Sequence, residues 1–393
     1  MQSIESPHRD KRGASKVASE VLKKGGEVAS EVPGEASGFD FEGMRFGVKA
    51  WRASASDARE GGAPSVPIVF VHGFAQQAST WDDVAQLLTD AGARCFGFEL
   101  AGHGVGACSA GDGPAERSGF FDLRFQARAL LAFCGAVACD AGAAPVLVGY
   151  SMGGRVALQA ACLVAGDLRG GGKFDRISLR SSAAFAPCGR TGRLDMAESG
   201  QRDTAATPVG DAARMLAAAP FSALVLESAG LGPVDDAARE VLHERNFAWA
   251  ARVRGEGVSA FMDWWAGLPL FESQRILPDE QRERLRAGRL ANDTESLALS
   301  FERAGAHAMP SQGESIRALC ELAAKGIPVS YLAGELDAKY CKVASTLQSE
   351  SQGAISCCVV PAAGHSIHLE QPEAFGAILE EVVESCTPKP AAP

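Results

Sequence analysis

The chain has 393 residues, of which 46% are hydrophobic and 22% charged, a composition typical of a globular protein with a large apolar core. Its formal net charge of -10 disfavours nucleic-acid binding, because contact with the phosphate backbone requires a basic surface. The charge still permits an anionic small-molecule ligand, since a single pocket can be locally basic.

The sequence divides into a tail, a core in two parts and an inserted segment. Residues 1–37 are polar with mixed charges and predict a flexible tail. The core is predicted over 38–232 and 311–393, and the helical patterns of 233–310 predict a cap inserted between these two parts. Residues 167–213 are rich in Gly, Arg, Asp, Ser and Thr without a sustained period, and we interpret them as a flexible insertion in the first part.

Short apolar runs alternate with segments of helical period from Val66 onward. The predicted strands are Val66–Val71, Arg94–Leu100, Pro145–Gly149, Ser222–Glu227, Pro328–Ala333 and Ile355–Val360. The predicted helices are Trp81–Ala91, Phe125–Ala138, Met152–Leu163 and Pro372–Glu384, with Asp235–Val253 and Pro278–Ala287 in the cap. This alternation predicts an α/β fold with a mostly parallel sheet and helices on both faces. Catalytic residues in such folds follow the carboxyl ends of strands.

A Gly-x-Ser-x-Gly motif, Gly149 to Gly153, lies directly after a predicted strand and directly before a predicted helix. In this context the serine occupies a tight turn, and the small residues beside it let strand and helix approach closely. The serine also precedes a helix N-terminus, where backbone N–H groups stabilise negative charge. The motif therefore predicts an α/β-hydrolase fold with Ser151 as the nucleophile.

A serine in such a turn requires an acid and then a histidine further along the chain. His72 and His103 precede the serine and are therefore out of order. His365 follows the last predicted strand in a glycine-containing loop, and it is the predicted base. We interpret His368, three residues later, as a supporting or surface residue.

The acid should follow the strand before the one that precedes the base. Asp337 does so, and we favour it over Glu335 because it lies deeper in the loop. An oxyanion hole in this fold uses the N–H after the nucleophile and one from the loop after an early strand. These are the backbone N–H groups of Met152 and Phe74.

Several stretches of the sequence, taken together, are more specific than the Gly-x-Ser-x-Gly motif alone. They are Val69–Phe74, Gly149–Arg155, Phe261–Trp265, Arg289–Asn292, Gly334–Lys339 and Gly364–His365. Together they resemble the 2-succinyl-6-hydroxy-2,4-cyclohexadiene-1-carboxylate synthases, lyases of menaquinone biosynthesis. Two positions depart from the family pattern, since Gln76 replaces a glycine and Ala101 replaces a proline.

The resemblance implies elimination of pyruvate from a carboxylated cyclohexene that bears an enolpyruvyl ether and a succinyl group. Ser151, activated by His365, would remove the proton beside the succinyl ketone, with no cofactor or metal. The substrate-binding residues that the resemblance implies are Tyr150, Arg155, Arg239, Trp264, Arg289 and Lys339. Two other arginines of the cap, Arg245 and Arg252, compete with Arg239 for its position.

Two other functions use the same residues. A serine hydrolase of an ester, or of a carbon–carbon bond in a ring-cleavage product, would need the same three side chains but fewer pocket cations. A catalytically silent binding protein is the third alternative, and the intact Ser–Asp–His order argues against it.

The remaining features concern partners and location. The 11 cysteines have no metal-ligand spacing and indicate a reducing compartment. The N-terminus lacks a signal-like apolar segment, and the longest apolar stretch contains Arg155. The sequence therefore predicts a cytoplasmic enzyme with no nucleic-acid partner and no membrane span. The resemblance implies a small carboxylated substrate. Nothing in the sequence indicates the oligomeric state.

Overall fold

The computed structural model describes residues 37–52, 66–104, 118–169 and 220–387, which all belong to one compact unit. The predicted tail except Ser37, and the predicted insertion from residue 170 onward, lie outside the described residues. Within the described ranges, no helix is both long and apolar enough to cross a membrane.

Eight strands form one sheet in the order β1-β2-β4-β3-β5-β6-β7-β8. They are β1 (Ser37–Phe41), β2 (Met44–Ala50), β3 (Ile68–Val71), β4 (Cys95–Phe98), β5 (Val146–Tyr150), β6 (Ala223–Glu227), β7 (Val329–Gly334) and β8 (Ser356–Val360). Strands β3 to β8 are parallel, whereas β2 runs antiparallel to both β1 and β4. The six predicted strands correspond to β3 to β8, so the prediction of a mostly parallel sheet is confirmed.

The α-helices of the described residues lie between and after these strands along the chain. They are α1 (Asp82–Asp90), α2 (Leu123–Ala141), α3 (Met152–Arg169), α4 (Asp236–Ala266), α5 (Asp279–Leu290), α6 (Thr294–Ala304), α7 (Gln312–Ala324), α8 (Ala338–Glu350), α9 (Ile367–Glu370) and α10 (Pro372–Cys386). Short 3-10 helices cover Ala78–Trp81, Ser118–Phe121, Pro269–Ile276 and Ala306–Ala308.

Both faces of the sheet are buried. In β3, Val69 and Val71 belong to one apolar cluster and Ile68 and Phe70 to another, because successive side chains of a strand point to opposite faces. Helices α2 and α3 contribute to the first cluster, and α1 and α10 contribute to the second. This burial on both sides explains why the central strands are continuous apolar runs.

The β1–β2 hairpin was not predicted from the sequence. Its turn consists of Glu42 and Gly43, which both have positive φ, at 45° and 84°. Positive φ at both central residues is the geometry of the tight turn that suits the twist of a hairpin. A Glu-Gly pair is a weaker signal for this turn than Asn-Gly or Asp-Gly, and this explains the omission.

The segment 233–310, which we call the cap segment, lies between β6 and β7 and contains α4, α5 and α6. Its two ends lie side by side, since Gln312 N–H donates to the carbonyl of Pro233 at 2.8 Å. A side chain on Gly232, where φ is 97°, would come within 2.0 Å of the Pro310 carbonyl oxygen. Helix α4 is interrupted at Gly257, whose φ of 77° is not helical. This segment is therefore an insertion between two neighbouring strands, and this described part of the chain contains helices but no strand.

Candidate active site

Ser151 lies in a tight turn between β5 and α3. Its φ is 50°, and its N–H donates to the carbonyl of Glu227 on the neighbouring strand at 2.9 Å. A side chain on Gly153 would come within 2.4 Å of the carbonyl oxygens of Val71 and His72. The glycines of the motif therefore let α3 start directly against the sheet, which leaves the serine at the edge formed by the strand ends.

His365 bridges Ser151 and Asp337. Its Nε2 is 3.1 Å from Ser151 Oγ, and its Nδ1 is 2.8 Å from Asp337 Oδ2. Asp337 precedes α8, and its second oxygen accepts the N–H of Tyr340 at 3.2 Å. An aspartate that accepts the Nδ1 proton leaves Nε2 free to accept the serine proton, so this arrangement can activate the hydroxyl. The structure thus brings together the three side chains that chain order had selected.

His368 lies behind this site and is fully buried. Its Nδ1 is 2.9 Å from both carboxylate oxygens of Glu227, and its backbone N–H donates to the same carboxylate at 3.2 Å. The ring stacks on Trp81 with centroids 4.1 Å apart and meets the edge of Tyr150. His368 therefore supports the site from within the core and does not reach Ser151.

The hydrogen bonds in the loop after β3 single out one backbone N–H group of that loop. The N–H of Gly73 donates to Gln76 Oε1 at 3.2 Å, and the N–H of Ala75 donates to His103 Nε2 at 3.1 Å. The N–H of Phe74 between them has no acceptor in the described part of the chain. The N–H of Met152, at the start of α3, is likewise unpaired there. Two such donors can stabilise an anion beside Ser151.

Two histidines that chain order had set aside hold this loop. His103 donates from Nδ1 to the carbonyl of Ala101 at 2.9 Å, and its burial lowers its pKa to about 3, so its Nε2 is an acceptor. His72 Nε2 accepts the N–H of Leu100 at 3.0 Å, and Glu99 accepts the N–H of Ala78 at 3.0 Å. Sequence reasoning missed these positioning roles, although the His-Gly and Gly-His-Gly stretches mark them.

Three arginines near the site have no carboxylate partner within the described ranges. Arg155 donates to the carbonyl of Ala304 at 3.1 Å, and burial lowers its pKa to about 10, with a smaller contribution from the charge of Arg245. The guanidinium carbon of Arg245 lies 4.5 Å from the ring centroid of Trp249, and burial lowers the pKa of Arg245 as well. Arg289 is only 6% exposed, and burial lowers its pKa too. Helix α3 and the cap segment thus contribute desolvated guanidinium groups, of which those of Arg155 and Arg245 lie close enough to influence each other.

A hydrogen-bonded chain joins Arg289 to the loop that carries His365. Arg289 Nη2 donates to Gln274 Oε1 at 3.0 Å, and Gln274 Nε2 donates to Ser366 Oγ at 2.8 Å. Ser366 Oγ is also 2.7 Å from the hydroxyl of Tyr150. Tyr150 packs on the Gly73 backbone, and burial raises its pKa well above its usual value. Tyr150 therefore forms part of the wall beside the predicted base.

Two other predicted binding residues, Arg239 and Lys339, differ in their partners. Arg239 Nη1 donates to the carbonyls of His307 and Met309, at 2.5 and 2.8 Å. Lys339 is exposed and lies 4.7 Å from the ring centroid of Tyr340.

The two neighbouring tryptophans at the end of α4 have different surroundings. The guanidinium of Arg252 lies 4.0 Å from the ring centroid of Trp264. Trp265, in contrast, lies with its ring centroid 5.0 Å from that of Phe74 in the oxyanion loop. The structure therefore places Trp265 against this loop, whereas the resemblance had implied Trp264.

The described residues include no group of three or more His, Cys, Asp or Glu side chains that could hold a metal ion.

A parallel sheet with a serine turn, and an aspartate and a histidine on later strand ends, defines a class of enzymes. The sequence matches the Alpha/beta hydrolase family over residues 68–378, and the chain belongs to this family. The predicted α/β-hydrolase fold is thereby confirmed.

Particular relatives carry one recurring name. A 2-succinyl-6-hydroxy-2,4-cyclohexadiene-1-carboxylate synthase from Escherichia coli (strain SMS-3-5 / SECEC) is 28% identical over 323 residues, covering 82% of this chain and 96% of the relative. A Bacillus subtilis (strain 168) protein that provisionally carries the same name is 33% identical over 166 residues. That alignment covers 42% of this chain and 57% of the relative, so the chain spans little more than half of that protein's length.

Solved structures with the same fold include MenH from S. aureus, with a TM-score of 0.60 and 22% identity over 86% of this chain and 98% of that chain. A thermophilic esterase from Thermogutta terrifontis has a TM-score of 0.55 and 18% identity over 90% of this chain and 100% of that chain. At these identities the similarity establishes the fold.

Proposed function

We propose that the protein is a carbon–oxygen lyase of menaquinone biosynthesis. Its substrate would be 2-succinyl-5-enolpyruvyl-6-hydroxy-3-cyclohexene-1-carboxylate, and its products pyruvate and 2-succinyl-6-hydroxy-2,4-cyclohexadiene-1-carboxylate. The name of the Escherichia coli relative, which aligns over most of both chains, supports this reaction.

The observation that carries the proposal is that the guanidinium groups of Arg155, Arg245 and Arg289 donate only to neutral oxygens and have no carboxylate partner among the described residues. A buried charge without a partner is costly, so such groups are expected where a ligand supplies the opposite charge. The proposed substrate carries three carboxylates, one each on the ring, the succinyl group and the enolpyruvyl ether. We propose Arg245 at the position for which the resemblance had implied Arg239, because the Arg239 guanidinium donates to backbone carbonyls.

The reaction begins at the ring carbon beside the succinyl ketone. Ser151 Oγ removes the proton from this carbon while its own proton passes to His365 Nε2, and Asp337 stabilises the resulting imidazolium. The released electron pair forms a double bond within the ring, the existing ring double bond moves one position along, and the carbon–oxygen bond to the enolpyruvyl group breaks. The departing enolate takes up one proton and becomes pyruvate, and the loss of one proton from the His365 imidazolium balances this uptake and restores the neutral Ser151–His365 pair.

The oxyanion donors explain why no further group is needed for this chemistry. Negative charge develops on the ketone oxygen as the proton leaves, and the N–H groups of Phe74 and Met152 are proposed to bind it. A preorganised donor of this kind contributes about 3 kcal/mol or more to the stabilisation of a transition state. Tyr150 and Trp265 are proposed to enclose the ring, and Trp264 and Lys339 to line the entrance.

The cap segment 233–310 is proposed to close over this site, because it supplies Arg245, Gln274 and Arg289. We also propose a cytoplasmic location, in keeping with the cysteine content.

Pyruvate release tests the proposal directly. Purified full-length protein is incubated with the enolpyruvyl substrate, and pyruvate is followed with lactate dehydrogenase and NADH. The expected result is catalytic release by wild type and only the spontaneous rate with Ser151→Ala. A wild type that hydrolyses a p-nitrophenyl ester but releases no pyruvate would instead be a serine hydrolase. A protein that does neither, and whose serine does not react with a fluorophosphonate, would be a binding protein.

A further inference from the structure

Glu370, at the end of the short helix α9, holds the backbone on both sides of His365. Its Oε2 accepts the N–H of Gly364 at 2.6 Å, and its Oε1 accepts the N–H of Ser366 at 3.3 Å. In return, the N–H of Glu370 donates to the carbonyl of Ser366 at 3.0 Å. A single carboxylate thus fixes the two peptide units that orient the imidazole.

The same carboxylate joins this loop to the cap segment. Ser273 Oγ donates to Glu370 Oε1 at 3.1 Å, and a side chain on Gly364 would come within 2.0 Å of Ser273 Oγ. The next residue, Gln274, donates to Ser366 Oγ and accepts from Arg289. Two successive residues of the cap therefore contact the residues on either side of His365.

We propose that Glu370 is a positioning residue for His365, and that its bond to Ser273 makes the orientation of the base depend on the closed cap. This proposal rests on the role proposed above for His365, but not on the identity of the substrate. Glu370 touches neither Ser151 nor the imidazole, so its effect is exerted through the backbone of the loop.

The negative charge of Glu370 is essential to this arrangement. A carboxylate offers two acceptor oxygens, which take two N–H donors and one hydroxyl donor. An amide of the same size offers one acceptor oxygen and must turn its NH2 group toward one of the donors. Hydrogen bonds to a charged acceptor are also about twice as strong as neutral ones. Glu370→Gln should therefore leave the loop folded but with a less fixed histidine.

The test uses the reactivity of Ser151 with a fluorophosphonate, which depends on the base but needs no natural substrate. We expect Glu370→Gln to lower the second-order labelling rate constant about tenfold or more, and Glu370→Ala to lower it further. Glu373→Gln is the matched control, since Glu373 is an exposed glutamate three residues away. It removes the same charge and should keep the rate within about twofold of wild type.

A second readout separates positioning from a general loss of structure. The proton in the hydrogen bond between His365 and Asp337 gives a downfield NMR signal in a well-ordered pair, and we expect this signal to broaden in Glu370→Gln but not in Glu373→Gln. With the enolpyruvyl substrate, kcat should fall while KM stays within about twofold. A lower labelling rate without any pyruvate release from wild type would leave this proposal standing and remove the lyase proposal.

Ser273→Ala tests the link to the cap. It keeps both backbone bonds to Glu370 and removes only the hydroxyl donor, so we expect a smaller fall in the labelling rate, about threefold. Labelling of folded Glu370→Gln at the wild-type rate would overturn the positioning role. If neither Glu370 variant folds, an unchanged rate and NMR signal in Ser273→Ala would overturn the proposal, and changes in both would support it.

Discussion

Ser151 has a backbone conformation that few L-residues adopt. A φ of 50° costs about 1–2 kcal/mol for a residue with a side chain. The structure compensates through the bond from the Ser151 N–H to the carbonyl of Glu227, while the Glu227 side chain binds His368. One glutamate on the neighbouring strand thus stabilises both the serine turn and the helix behind the base.

Removal of the serine hydroxyl should abolish most of the activity without unfolding the protein. We expect Ser151→Ala to lower kcat at least about a thousandfold, and His365→Ala to do the same, because the two side chains act as one unit. The double variant should lose little more than either single variant. Steady-state kinetics of the three purified variants, with melting temperatures as a check on folding, would reveal additive losses if this interpretation were wrong.

His368→Ala should affect stability more than chemistry. It leaves the buried Glu227 carboxylate without its imidazole partner, and loss of one member of a buried pair costs about 3 kcal/mol. We expect urea unfolding to show this loss, with kcat of the folded protein within about tenfold of wild type. His368→Gln should recover part of the stability, since its amide can donate to Glu227. A thousandfold loss of kcat in a stable His368→Ala would point to His368 as the base.

Arg155 should discriminate between charged and neutral substrates. If its guanidinium binds a substrate carboxylate, Arg155→Ala should cost about 2–4 kcal/mol in kcat/KM, as for one partner of a buried charge pair. Arg155→Lys should recover only part, because lysine cannot make two parallel hydrogen bonds. Neither variant should change the hydrolysis of a neutral p-nitrophenyl ester. Equal losses on both substrates would mean that Arg155 only supports α3 through its bond to Ala304.

Arg245 and Arg239 offer a matched pair within α4. Both are half-buried arginines, but only Arg239 donates to backbone carbonyls with short bonds. We therefore expect Arg245→Met to raise KM for the carboxylated substrate about tenfold or more at nearly unchanged stability. Arg239→Met should lower the melting temperature instead. The reverse pattern in kinetics and thermal melts would restore Arg239 as the substrate-binding residue.

Two glycines of helix α3, Gly153 and Gly166, differ in how much space surrounds them. An added methyl group on Gly153 would meet two backbone carbonyls at 2.4 Å, whereas one on Gly166 would meet nothing within 4 Å. We expect Gly153→Ala to lower the free energy of unfolding by about 3 kcal/mol. Gly166→Ala should raise it by about 0.5–1 kcal/mol, because alanine favours a helix more than glycine. Urea titration of both variants would contradict this interpretation if the two free energies of unfolding shifted in the same direction.

The elements that the sequence predicted well are those with one dominant signal. Strands β3 to β8 are short buried runs bounded by turn residues, and the serine turn has a fixed spacing. The proposed acid and base were selected by chain order together with their positions in loops after predicted strands, and the structure brings them within hydrogen-bond distance of each other. Hairpin β1–β2 lacked a strong turn signal. Helix α7 was not predicted either, although the Ser311–Glu314 capping box at its start is a recognisable signal in the sequence.

The cap residues could not be chosen from the sequence for a geometric reason. Which residues of a helix face a site depends on its rotation, and α4 loses its helical phase at Gly257. The pattern of Arg239 and Arg245 before this break therefore does not determine whether Trp264 or Trp265 points inward after it. The links from Gln274 to Ser366 and from Ser273 to Glu370 join residues 92 and 97 positions apart, and only the folded chain brings them together.

At the scale of the whole molecule, the cap segment separates β6 from β7, and a second long segment separates α3 from β6. Residues 170–213, which lie outside the described part, follow the end of α3 at Arg169. Their composition predicts no contribution to the site, so a short Gly/Ser linker in their place should keep kcat within a fewfold of wild type. Kinetics of this deletion variant, with its melting temperature, provide the check. A collapsed rate in a folded variant would assign the segment a place in the site.

The order of the sheet also determines when activity can arise during synthesis. Ser151 and His365 are 214 residues apart, and α10, which follows the base, places Phe375 against Trp81 near the start of the sheet. A ribosome therefore completes the serine turn long before the base exists, and the N-terminal half must wait for the last helix to cover its apolar face. Such distant contacts slow folding, since the ends of a long loop must meet before they gain stability. Chains that stop before His365 would accordingly contain Ser151 without its proposed base, and Trp81 would lack its contact with Phe375.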